Sequence, residues 1–177
     1  MTDWCARYSE AIDLIYSSNI FETHYPDALE FLPFLLLPQR INAIQSLVFT
    51  WRFRRYPPYV HPAESYKDDQ DLREASWTSI WHNIASMQKL QNLHVKLDVR
   101  DAWWGSFDPE ISRVLLEPIR KVTTPETFIL TLPFPPDVTS RLRINAWSAD
   151  KNWKGGDPWE QLPCTIQRVG SDFFYEP

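Results

Sequence analysis

Glycine is scarce in this chain: Gly105, Gly155, Gly156 and Gly170 are the only four among 177 residues. A phosphate cradle at a strand-to-helix turn needs several closely spaced glycines, so the common nucleotide-binding motifs are excluded. Cysteine is sparser still. Cys5 and Cys164 stand at opposite ends of the sequence, and no C-x-x-C occurs. That leaves neither a disulfide framework nor the usual spacing of a zinc site. The histidines His24, His61, His82 and His94 show no metal-ligand spacing, and neither G-x-S-x-G nor H-E-x-x-H is present. No metal and no cofactor are therefore expected. Long apolar runs are missing too. The longest, Phe31 to Leu37, is interrupted by Pro33 and stopped by Pro38, far short of the ~20 residues a membrane span requires. Basic charge is also in deficit, with 18 Lys and Arg against 23 Asp and Glu, a net charge of −5. Bulk electrostatic binding of nucleic acid is excluded on that balance. The densest basic patch, Arg52, Arg54 and Arg55, reads as an ordinary strand end. Few cysteines and no secretory signal pattern lead to an expected intracellular setting, cytoplasmic or nuclear.

Aromatic residues are what the chain has in excess. Nine tryptophans, ten phenylalanines and seven tyrosines, within an apolar fraction of 44%, rule out a disordered segment. The length suits a single domain over residues 1–177 with one core. A short pattern recurs along it. Ile44-x-x-Leu47-x-Phe49-x-Trp51 is matched by Leu90-x-x-Leu93-x-Val95-x-Leu97, and more weakly by Phe128-x-Leu130-x-Leu132. Each copy alternates apolar with polar, as a strand with one buried face does. The intervals between copies carry helical spacing. Strands alternating with helices predict an α/β fold with a parallel central sheet and helices mainly on one face.

The elements follow from this pattern. Tyr8, Ala11, Ile12, Ile15 and Tyr16 fall on one face of a first helix, with Cys5 on its apolar flank and Asn19 placed to cap its end. A short strand is predicted over Ile20 to His24, then a helix opened by Pro26 and shortened by Pro33 and Pro38. After the strand at Ser46–Phe53, residues 54–71 read as a loop. A third helix follows, bearing Trp77, Ile80, Trp81, Ile84 and Met87 at helical spacing. Asp108-Pro109 marks another helix start, with Pro118 set to kink or end that helix. Arg141–Trp147 and Pro163–Val169, separated by the turn signal Lys154-Gly155-Gly156-Asp157-Pro158, predict a C-terminal antiparallel hairpin.

Several of these motifs together resemble a known family. They are Cys5-x-x-Tyr8-Ser9-Glu10-Ala11-Ile12, Leu14-Ile15-Tyr16-Ser17-Ser18-Asn19-x-Phe21, Phe31-Leu32-Pro33, and Leu37-Pro38-Gln39-Arg40-Ile41-x-x-Ile44-Gln45-Ser46-Leu47. Leu90 to Leu97, Leu116 to Arg120 and Leu162 to Val169 also fit. The family is a widespread one of filamentous ascomycete fungi, sharing a domain of unknown function. Its members often follow an F-box-like leader and look like degenerate leucine-rich-repeat α/β units. The resemblance implies that fold and a fungal source, and brings no activity and no catalytic residues with it. Relatives usually have one more residue between the cysteine and the tyrosine of the first motif, and a leader ahead of it. Here the motif starts at Cys5, so the expectation is a domain turned away from a ubiquitin-ligase adaptor role.

Two surfaces are candidate sites. In parallel α/β sheets, ligands gather beyond the carboxyl ends of the strands. Those ends carry His24, Arg54, and the group Arg100, Asp101, Trp103 and Trp104. Under an enzymatic reading, Asp101 with Arg54 would be the acid–base pair. Trp103, Trp104, His24 and Arg100 would then hold a small apolar or aromatic molecule, as in a cofactor-independent cyclase or isomerase of fungal metabolism. The blander account makes Arg54 and Asp101 a surface ion pair and the tryptophans a cap on the sheet. The second surface is the outward face of the strands. Aligning the repeats sets Val48, His94 and Ile129 in one row, Thr50, Lys96 and Thr131 in the next, and Arg52 beside Asp98 in a third. Thr50, Arg52, His94, Lys96 and Asp98 are the expected partner surface. The leading expectation is a non-enzymatic protein-interaction module with a protein partner.

Overall fold

Five strands form one sheet in the computed structural model, which describes residues 3–53, 67–99, 116–132 and 158–169, side chains excepted at 3–7, 9, 53, 67–74, 99 and 158. The strands are β1 (Ile20–Thr23), β2 (Ser46–Phe53), β3 (Asn92–Val99), β4 (Thr127–Leu132) and β5 (Thr165–Arg168). They lie in the order β1-β2-β3-β4-β5, and every neighbouring pair is parallel. Spatial order thus follows chain order. A connection between parallel neighbours is right-handed in nearly all proteins. Stepping always in one direction with one hand favours one face of the sheet for the helices and turns described between the strands.

The core agrees with that geometry. Leu29 and Ile41 come from the first connection, and Trp77, Ile80, Trp81 and Ile84 from the second. Leu116, Ile119 and Val122 come from the third, Trp159 and Leu162 from the fourth. All join one cluster with Leu47, Phe49 and Trp51 of β2, Leu93, Val95 and Leu97 of β3, and Phe128, Leu130 and Leu132 of β4. Those nine strand residues are the inward positions of the repeats, so the alternation fixed which face is buried.

The register carries the repeat alignment residue by residue: Leu47 pairs with Leu93, Phe49 with Val95 and Trp51 with Leu97. The turns ahead of the strands stack as well. The carbonyl of Gln45 accepts from the amides of Gln91 and Asn92, both at 2.9 Å, and the carbonyl of Gln91 accepts from Thr127 N–H at 2.9 Å. Asn92 donates from Nδ2 to Ser46 Oγ at 3.1 Å, one repeat away. Ile44 and Leu90, which open the two clearest repeats, are both buried beneath these turns.

The helices follow the punctuation of the sequence. α1 (Asp3–Ser18) ends where Asn19 donates from Nδ2 to the carbonyl of Ile15 at 2.8 Å, the expected cap. Prolines divide the next stretch into three single turns, α2 (Asp27–Glu30), α3 (Leu32–Leu35) and α4 (Pro38–Ile41). Pro26 stands at the first N-cap, and a proline occupies the first turn of each of the other two. α5 (Lys67–Ser86) begins ahead of the expected boundary near residue 71. Residues 116–120 are helical and run on into a turn at Lys121, with Pro118 inside them.

Two expectations need correction. The C-terminal hairpin is not found among the described residues: β5 pairs parallel with β4, Ile129 opposite Thr165 and Leu132 opposite Arg168. The turn before β5 contributes Trp159 and Leu162 to the common core, so β5 arrives as one more strand of the stack rather than by reversal. Residues 141–147, the other half of the expected hairpin, lie outside the described residues. The stripe of α1 is the second correction. Ile12 and Tyr16 are partly buried, while Tyr8, Ala11 and Ile15 are exposed. α1 precedes the edge strand, and among the described residues no strand lies beyond β1 to give this stripe a floor.

Candidate functional site

The outward face of the sheet is assembled by strand register alone. Glu22, Val48, His94, Ile129 and Thr165 form one row across all five strands. Thr50, Lys96, Thr131 and Gln167 form the next, and Arg52 stands beside Asp98 in a third. Parallel pairing with no offset places equivalent residues side by side, so one outward position from each repeat becomes a ladder across the face. The rows expected from the sequence are all present. Two positions were missed at the far edge, Gln167 and Thr165, because a hairpin register gave β5 no place in these rows. The signal was there: Ile166 alternates with Thr165 and Gln167 as the strand repeats do.

Exposure along this face is uneven. Val48, His94, Lys96 and Ile129 are half-buried, and Arg52, Glu22, Thr165 and Gln167 are exposed. Thr50, Thr131 and Asp98 are buried although they point away from the apolar core. Each small or short side chain there lies in a row with longer ones, Lys96 between Thr50 and Thr131, Arg52 against Asp98.

Two polar contacts organise the face. His94 Nε2 is 2.8 Å from Thr131 Oγ1, joining β3 to β4. Burial lowers the His94 pKa below its ordinary value, the positive charge of Lys96 lowers it further, and Glu22 opposes both. His94 is therefore neutral at pH 7, and its ring can act as donor or acceptor toward Thr131. Arg52 donates from Nε to Asp98 Oδ2 at 3.1 Å, with the carboxylate buried and the guanidinium half exposed. Among the described residues the face thus presents Lys96, the exposed carboxylate of Glu22, the neutral His94 ring, the Arg52–Asp98 ion pair and the aliphatic Val48 and Ile129. Among the described residues no group of histidine, cysteine or carboxylate side chains is placed to hold a metal ion.

The other candidate site is located only in part. His24 follows the carboxyl end of β1, is exposed, and lies 3.8 Å from Glu22. Arg54, Arg100, Asp101, Trp103 and Trp104 lie outside the described residues. Trp77 and Trp81 are spent on packing. Trp77 meets Trp51 edge-on at 4.7 Å and Trp81 at 5.4 Å, and Trp81 also meets Phe49 at 5.8 Å and Phe128 at 6.0 Å. Burial pushes the Cys164 thiol up to about 12, which disfavours its thiolate at neutral pH. His82 is an exposed residue of α5.

Among the described residues no helix is long and apolar enough to cross a membrane. A family model described as a domain of unknown function (DUF7730) matches residues 1–147. No curated protein and no solved structure matches the chain.

Proposed function

For this chain, which belongs to the DUF7730 family of domains of unknown function, we propose a non-enzymatic protein-interaction role carried by the outward face of the sheet. The supporting observation is the pair of ladders, Val48–His94–Ile129 and Thr50–Lys96–Thr131, continuous across the parallel strands and on the face opposite the apolar core. In repeat-built α/β folds the row of strands is the usual docking surface, and that likeness of architecture is an analogy of fold. Val48 and Ile129 offer apolar area, while Lys96, Arg52 and Glu22 offer charge of both signs. Such a mixture matches a protein partner better than a lipid or nucleic acid surface. The reading extends to a fungal, F-box-associated, leucine-rich-repeat-like setting, supported by the motif resemblance from Cys5 to Val169. It also extends to an intracellular location, supported by sparse cysteine and the free thiol of Cys164.

The test is site-specific photo-crosslinking in cells that express the chain. A photoreactive amino acid replaces Gln167 on the strand face in one form and His82 on the outer side of α5 in another; both positions are exposed. The proposal expects a discrete adduct from position 167 alone, lost when Lys96→Glu is added. Identical adducts from both positions, or an adduct indifferent to Lys96→Glu, would sink it.

A further inference from the structure

The first end of the sheet carries a second surface, separate from the strand face. From Tyr8 to Leu37 the chain leaves an unusual set of large apolar side chains in water. Phe34 is 85% exposed, Tyr25 73% and Leu35 69%, and Leu14, Ile15 and Leu37 are also well exposed. Scattered apolar residues are normal on a surface, whereas a continuous set marks a binding site. These belong to one tied unit. Tyr16 of α1 stacks on Phe21 of β1 with ring centroids 5.3 Å apart. Arg40 of α4 pairs with Asp13 of α1. Asn83 of α5 donates to the carbonyls of Leu29 and Glu30 at 3.0 and 3.2 Å, fixing α2 to the body of the fold.

Charge along this stretch is mostly acidic. Glu10, Asp13, Asp27 and Glu30 carry it, and Arg40 is the sole Lys or Arg between residues 8 and 41. Arg40 is already engaged with Asp13. An apolar surface with an acidic rim selects an apolar partner with a basic rim. A second copy of this chain brings the same acidic rim and a net charge of −5, and an anionic membrane is repelled likewise. Shape narrows the partner further. β1 has only four residues, too few to template a long added strand. The exposed side chains stand instead on α1, on α3 and at Tyr25 and Leu37, which lead into α2 and α4, where a stacked α/β fold sets its next helix. We propose that the α1–α4 end of the sheet docks a basic amphipathic helix of a partner protein.

The experiment uses the full chain and two fluorescent peptides of about 18 residues, roughly five helical turns. Both contain the same leucines, phenylalanines and lysines. One sets the apolar residues on a single helical face, and the other spreads them around it. Fluorescence anisotropy is expected to show the one-faced peptide binding at least about tenfold more tightly than its isomer. Phe34→Glu is expected to remove that difference and Lys96→Glu on the strand face to leave it intact. Because Phe34 is so exposed, the variant should keep the wild-type circular dichroism, and Leu35→Glu serves as a second variant. Equal binding of both isomers, or full binding by both Phe34→Glu and Leu35→Glu, overturns the proposal. So does a dimer in sedimentation that Phe34→Glu dissociates, which would make the occupant a second copy. Uptake onto anionic vesicles that depends on Phe34 would make it a lipid surface and overturn it as well.

Discussion

The middle of the sheet and its first end are built from similar residues and treat them in opposite ways. Between Ser46 and Leu97, the apolar residues at repeat positions, and those on the inner stripe of α5, are almost all sealed from solvent. Between Tyr8 and Leu37, the longest apolar run of the chain, Phe31 to Leu37, leaves Phe31, Phe34, Leu35 and Leu37 exposed. Apolar content does not separate the two regions; periodicity does. In β2 and β3 every second residue points to one face, and the helix opposite repeats at 3.6, so two continuous faces meet. In the run 31–37, Pro33 and then Pro38 break the helix into single turns. A single turn has no long face to lay against the sheet, so its side chains are not gathered into the core. Burial in this fold needs pattern and, as the exposed Tyr8 and Ile15 of α1 show, an apposed surface as well.

The sharpest way to break that comparison is at Trp81, which is fully buried and touches the rings of Trp77, Phe49 and Phe128. Trp81→Ala is expected to cost about 3–5 kcal/mol, the range for removing a large buried aromatic. That is a large share of the ~5–15 kcal/mol that holds a domain of this kind. Its indole Nε1 is buried with no acceptor, so the tryptophan is held by its apolar surface rather than by its polar end. Trp81→Phe should therefore recover most of the loss. Urea denaturation of both variants checks this, and an unchanged midpoint for Trp81→Ala would mean that α5 does not close the core.

Legibility in the sequence divides along the same line. The inward positions of β2, β3 and β4, the stripe of α5 and the rows of the outward face all follow from repeat spacing, because a parallel register without offset turns sequence alignment into spatial alignment. β5 was legible as a strand, yet its direction was not. A turn signal such as Gly155-Gly156-Asp157-Pro158 says that the chain turns and does not say which strand receives it. α1 was legible as an amphipathic helix, while the exposure of Ile15 and Tyr8 was not, since a periodic stripe does not reveal whether a floor lies beneath it. The burial of Thr50 and Asp98 was hidden for a related reason. Polar residues on an outward face read as solvated, and the neighbours that shield them come from other strands.

Ion pairs offer a second, smaller test of the two regions. Arg52 pairs with Asp98, whose side chain is 9% exposed, and Arg40 pairs with Asp13, whose side chain is 67% exposed. Removing the cation from a buried carboxylate leaves that charge less well compensated, whereas an exposed carboxylate is taken over by water. Arg52→Ala is expected to cost about 1–2 kcal/mol, discounted for the half exposure of the guanidinium. Arg40→Ala should fall below about 1 kcal/mol. Comparing the two variants at low and high salt sharpens the contrast, because the pair with the exposed carboxylate should lose more of its contribution to screening.

A smaller effect still is expected from pH. The folded state holds His94 below its ordinary pKa of 6.5, through burial and Lys96 against the opposing Glu22. The fold therefore favours the neutral ring. Its contribution is fully present above the unfolded value and is lost as pH falls through the lowered folded value. Stability should decline on acidification from neutrality, and His94→Gln should flatten that part of the profile while keeping a partner for Thr131 Oγ1. Equal slopes for the two proteins across this window would show that His94 is solvated alike in both states.

The smallest expected effect is the one that decides whether the first end differs in kind. Phe34→Ser removes as much apolar surface as many core substitutions do, yet at 85% exposure nearly all of that surface is already in water. Transfer free energy follows area removed from water, so little is lost by deleting area that never left it. The site sits in the single turn α3, bounded by Phe31 and Leu36, where serine breaks no long helical ladder. The expected change is within about ±0.5 kcal/mol, and the thermal midpoint should move by no more than a few degrees. Set beside Trp81→Ala, the same chemical operation then gives a loss several times larger in the middle of the sheet than at its end. A cost above about 2 kcal/mol at Phe34 would mean that its ring is covered in solution. That outcome would erase the contrast between the regions and remove the surface on which a partner helix is proposed to dock.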